Sequence, residues 1–62
     1  YMNNMALAIV RNIAYSQINK INKKIKEEIE IDDELGKILL KRIDINMKNA
    51  INKILHDYKL QQ

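Results

Sequence analysis

The sequence predicts an all-α fold: an antiparallel hairpin of two helices, about residues 3–30 and 33–60 with a turn at 31–33, dimerising into a four-helix bundle. Three observations lead there. Proline and threonine are absent and glycine and serine occur once each, so the residues that build tight turns and β-hairpins are nearly missing. Each half of the chain repeats apolar residues at three- and four-residue steps, the stripe of an amphipathic helix. The two stripes mirror each other about the middle of the chain.

In the first helix Leu7, Ala14, Ile18, Ile21, Ile25 and Ile29 form the stripe, with Val10 or Arg11 filling the remaining step. In the second, Gly36, Leu40, Ile43, Met47, Ala50, Ile54 and Tyr58 do the same, and both stripes read as heptad-like coiled-coil seams. Antiparallel partners in a hairpin must have residue numbers of constant sum. Ile29 with Gly36, Ile25 with Leu40, Ile18 with Met47, Arg11 with Ile54 and Leu7 with Tyr58 each sum to 65, and Ile21 with Ile43 and Ala14 with Ala50 sum to 64. The centre of the mirror falls between Asp32 and Asp33. Either aspartate can cap the second helix by accepting from its first free N–H groups, and Glu34 adds negative charge at the positive end of the helix dipole. Gly36 lets the two backbones approach beside the turn. Glu27, Glu28 and Glu30 are unfavourable near a helix C-terminus, with Lys23, Lys24 and Lys26 as partial compensation.

The bundle follows from size and from the apolar residues left over. Residues 1–62 form a single domain, and a core of that size seldom supplies more than about 3–5 kcal/mol without an external staple. With no cysteine there is no disulfide and no zinc–thiolate site, which leaves self-association. Met2, Met5, Ala6, Ile9 and Ile13 fall on the far side of the first helix, and Ile38, Leu39, Ile45 and Leu55 flank or oppose the second seam. The expected homodimer interface is Met2, Met5, Ile9, Ile13, Leu39 and Leu55.

Catalysis finds no support. His56 is the only histidine, so a metal site would need Asp57 plus distant acids, and nothing marks Ser16, the only serine, as a nucleophile; no catalytic, cofactor-binding or metal-ligating residue is expected. The acidic run of residues 27–34 lacks the glycine and ligand spacing of an EF-hand loop. The longest uncharged apolar run, Met5 to Val10, is far below the roughly 20 residues that span a bilayer. No basic flank precedes it, so a soluble, cytoplasmic or otherwise intracellular protein is expected. Isoleucine, asparagine and lysine together make nearly half the chain, a bias of AT-rich coding.

The formal charge is only +3, but it is unevenly placed. Residues 1–26 carry five bases and no acid, residues 27–34 six acids and no base, and the remainder six bases and two acids. In the mirror Lys24 lies across from Lys41 and Lys23 from Arg42, with Lys20 one turn away. This predicts a basic belt of Lys20, Lys23, Lys24, Lys41 and Arg42 able to contact phosphates or an acidic partner. The function expected is that of a small non-enzymatic interaction or regulatory protein, a hairpin dimer binding another macromolecule, with a protein the favoured partner and nucleic acid the alternative. A short hairpin dimerising into four helices is similar in architecture to the plasmid copy-number regulators that bind paired RNA loops.

Residues 29–60 also resemble the ribbon-helix-helix DNA-binding family. IEIDDEL is similar to that family's strand-to-helix junction, and residues 45–58, INMKNAINKILHDY, to its second helix in apolar pattern. The resemblance implies a transcriptional repressor in which paired strands enter the major groove, with Ile29 and Ile31 inward and Lys26, Glu28 and Glu30 facing DNA. Two of those three are carboxylates, which repel a polyanion, and Glu27 would occupy an inward position.

Overall fold

The computed structural model describes residues 3–30 and 32–60. Two helices, α1 (Asn4–Ile29) and α2 (Glu34–Leu60), fold back on one another as a hairpin measuring 44 × 16 × 12 Å. Their 26 and 27 residues account for that length at about 1.5 Å per residue. The bounds differ from the expected ones by a single residue at most. Of the expected turn at 31–33, Ile31 lies outside the described residues.

Three of the helix ends, one at the open end of the hairpin and two at the turn, are closed by the backbone chemistry that helix ends demand. Asn3 caps α1: its side-chain oxygen accepts from the Ala6 N–H at 2.8 Å, and its carbonyl accepts from the Leu7 N–H at 3.0 Å. Asp33, rather than Asp32, caps α2. Its carboxylate accepts from the Gly36 N–H at 2.6 Å and its carbonyl from the Lys37 N–H at 3.0 Å. At the other side of the turn α1 stops because Glu30 enters the left-handed region (φ 56°, ψ 43°), while its N–H still donates to the Lys26 carbonyl. That conformation normally favours glycine, since a Cβ costs about 1–2 kcal/mol there.

Packing between the helices is thin. Among the described residues only Leu7 (9% exposed) and Ile18 (4%) are buried apolar side chains. Around them Ala14, Tyr15, Asn22 and Ile25 of α1 are half-buried against Gly36, Leu40, Ile43, Asp44, Met47, Lys48, Ile51, Leu55 and Tyr58 of α2.

This contact line corrects the expected seams. Ile21 and Ala50 are exposed, and Ile54 is 63% exposed; Asn22, Ile51 and Leu55 take the inner places. The reason is helical geometry. At these three places two adjacent residues lie about 100° apart, and the rotation that lets Asn22 reach Asp44 and Tyr15 reach Asn52 turns the later residue of each pair inward, a local shift of one residue. Ile29 is also 66% exposed, because its expected partner Gly36 offers no side chain to pack against. The drift moves the cross-helix pairs from the expected sum to Asn22 with Asp44 and Tyr15 with Asn52.

Candidate interaction surfaces

With about 100° between successive residues, the side chains beside the contact line fall on two broad faces of the hairpin, and these are chemically unlike. One face is polar and holds a chain of contacts that ties α1 to α2. Asn22 Nδ2 donates to Asp44 Oδ1 at 3.2 Å, and Lys48 Nζ lies 3.0 Å from the same oxygen and 3.2 Å from Oδ2. The Lys48 ammonium also stands 5.3 Å from the centre of the Tyr15 ring, and the Tyr15 hydroxyl accepts from Asn52 Nδ2 at 2.7 Å. Asn22 Oδ1 is buried with no hydrogen-bond partner.

Two open grooves flank this network on the same face. Toward the turn, Lys23 and Lys26 of α1 and Lys37 and Lys41 of α2 line a groove with Asn19, Asn22, Leu40 and Asp44. Its one carboxylate, Asp44, is already engaged by Asn22 and Lys48. Lys37 has an ion-pair contact of 3.9 Å with Glu34, both side chains mostly exposed, a contact worth little in water. Toward the open end of the hairpin, Arg11, His56 and Lys59 line a second groove with Asn4, Leu7, Ala8, Asn52 and Leu55.

The opposite face is apolar. On α1 the row Ala6, Val10, Ile13, Gln17 and Ile21 runs along it, and on α2 the row Leu35, Leu39, Ile43, Ala50 and Ile54, with Asn46 between Ile43 and Ala50. Val10, Ile13, Ile21, Leu35, Leu39 and Ile54 are all exposed, and Ile9 stands exposed at its outer edge. Charged side chains keep to its ends and rims: Lys24 and Glu28, which pair at 3.9 Å, and Lys20, Arg42, Lys53 and Asp57.

The faces divide the expected residues differently from the mirror. Lys23 and Lys41 share a groove, but with Lys26 and Lys37; Lys20, Lys24 and Arg42 sit at the rim of the apolar face. Of the expected interface, Ile9, Ile13 and Leu39 belong to the apolar face and Met5 is exposed on the back of α1. Leu55 is half-buried beside Leu7 on the polar side, a result of the drift in α2, and Met2 lies outside the described residues. Sequence reasoning missed the network of Asn22, Asp44, Lys48, Tyr15 and Asn52. The signal was present in the three- and four-residue spacing of Asn22 to Ile18 and Ile25, but an apolar neighbour, Ile21, competed for the place.

Among the described residues no group of three or more His, Asp or Glu could hold a metal ion, and no helix is long and apolar enough to cross a membrane. No protein family, curated protein or solved structure matches the chain.

Proposed function

We propose that the chain is a non-enzymatic interaction module whose apolar face is covered by a second copy, giving a four-helix bundle with the polar faces outward. The observation that carries this is the uncovered apolar face itself, which runs along both helices opposite the face that holds the polar network and the lysine groove. The surface of the hairpin as a whole leaves room for such an occupant. A compact monomer of 7.3 kDa exposes about 4,200 Å². This hairpin exposes 5193 Å², an excess of about 1,000 Å². A stable protein interface buries about 800 Å² from each partner. Two hairpins laid face to face also supply the core that Leu7 and Ile18 alone do not.

The outward face then serves a third molecule. Lys23, Lys26, Lys37 and Lys41 around one groove support a partner with an acidic surface. An acidic protein fits this face better than nucleic acid, because the groove offers no stacking platform: the nearby Tyr15 ring is occupied by Lys48 and its hydroxyl by Asn52.

Sedimentation equilibrium tests the assembly: a dimer is expected, and a monomer across the accessible concentration range refutes it. Partner capture with wild-type protein and with all four lysines changed to Ala tests the face. Loss of an acidic protein from the variant supports the assignment. Retention of the same partner overturns it, and recovery of nucleic acid with a steep salt dependence replaces it with the phosphate-binding alternative.

A further inference from the structure

The apolar face has one interruption, and it is central. Gln17 lies between Ile13 and Ile21 on α1, and Asn46 between Ile43 and Ala50 on α2; both are exposed. Gln17 is 15 residues before Asp32 and Asn46 is 13 after Asp33. At about 1.5 Å per residue they stand roughly 22 and 20 Å from the turn, both near the midpoint of the 44 Å hairpin. Neither side chain has a hydrogen-bond partner within the hairpin among the described residues. Elsewhere on the face polar side chains are charged and confined to the ends and rims, where water reaches them.

An uncharged amide in the middle of an apolar surface is free of cost while it faces water. Once a second copy covers the face, each amide must find a donor and an acceptor or be buried unsatisfied. Two-fold symmetry supplies the partner: a residue at the midpoint of one hairpin meets the midpoint of the other. A slip by one helical turn, about 5.4 Å, would instead set each amide against Ile13, Ile21, Ile43 or Ala50. A single polar position in an otherwise apolar seam is a known means of fixing register and oligomer state at the expense of stability. Resting on the dimer proposed above, we infer that Gln17 and Asn46 form the amide cluster at its two-fold axis and fix the alignment and number of copies.

The test is the variant Gln17→Leu/Asn46→Leu, with each single variant, in the full chain. Sedimentation velocity and native mass spectrometry should give one dimeric species for the wild type. The double variant should associate at least about tenfold more tightly and yield more than one oligomeric species, the combination expected when a register-setting amide is replaced by an apolar side chain. A double variant that remains a single dimer of unchanged affinity overturns the inference while leaving the dimer intact. A double variant that associates more weakly also overturns it, since the amides would then be net contributors to affinity rather than to alignment. A monomeric wild type removes the dimer and the inference together. Circular dichroism of the variants separates these outcomes from loss of fold, because the helical signal must be retained.

Discussion

Replacing Ile13 by alanine distinguishes a hairpin that works alone from one that pairs. Ile13 lies on the outer surface of α1 and is 59% exposed. In an isolated hairpin the substitution removes little buried surface, and alanine is the better helix former by a few tenths of a kcal/mol, so stability should hold or rise. In the dimer the exposed part of the side chain is the part the second copy covers. Isoleucine exceeds alanine by three CH₂ equivalents, or about 2.4 kcal/mol at roughly 0.8 kcal/mol each when fully buried. Scaling by the 59% still exposed gives about 1.4 kcal/mol per protomer and about 2.8 kcal/mol per dimer. That corresponds to roughly a hundredfold weaker dimerisation. Sedimentation equilibrium measures the Kd, and thermal melts at two protein concentrations show whether Tm falls and keeps its concentration dependence. An unchanged Kd with an unchanged or raised Tm refutes the argument, because the two states predict opposite signs.

Three further substitutions address the hairpin itself. Asp33→Ala removes the cap on α2 and should cost about 0.5–2 kcal/mol, with Asp33→Asn nearly neutral, by urea unfolding; equal losses from both would show that charge rather than capping is at work. Glu30→Gly relieves the left-handed backbone and should gain about 0.5–1 kcal/mol after glycine's greater unfolded-state entropy is subtracted. The same gain from Glu30→Ala would assign it to the lost carboxylate instead. Asp44→Ala strips both Asn22 and Lys48 of their acceptor and should cost about 1–3 kcal/mol, more than Lys48→Ala, which leaves the Asn22–Asp44 bond in place. The reverse order would mean that the Lys48 contact with Tyr15 holds the helices together.

The hairpin was legible because its main signals act locally. Asp33 caps a helix wherever it stands before a free N–H, and the mirror of apolar steps requires only that the chain turn once. What the sequence hides is a choice between adjacent residues. Ile21 and Asn22, Ile43 and Asp44, Ala50 and Ile51, Ile54 and Leu55 each offer two candidates about 100° apart on the helix. Apolarity favours Ile21, but the inner place goes to Asn22, whose partner Asp44 lies on the other helix and is visible only once the two are packed. In the pairs Ala50/Ile51 and Ile54/Leu55 both residues are apolar and both choices keep the same mean repeat, so the choice is visible only once the two helices are packed. Glu30 gave no warning of its left-handed backbone, since glutamate has no intrinsic preference for that region.

The one-residue drift has a consequence for function. Had Ile21 and Ile54 kept the inner places, they would be spent inside the hairpin, and the outer apolar face would lose part of both rows. By placing Asn22, Asp44 and Lys48 at the inner edge of one face, the fold releases Ile21 and Ile54 to the other. Polar cross-links and exposed aliphatics are thus two sides of the same geometry, and they separate assembly from partner contact. Changing Lys23, Lys26, Lys37 and Lys41 to Ala should leave the dimer Kd within about twofold, since rim and outward charges contribute little to a buried apolar interface. Ile13→Ala, conversely, should leave the lysine groove and the Asn22–Asp44–Lys48 network undisturbed. If the lysine variant dissociated the dimer while Ile13→Ala did not, the copies would be pairing through the polar face, and the apolar face would need a different occupant.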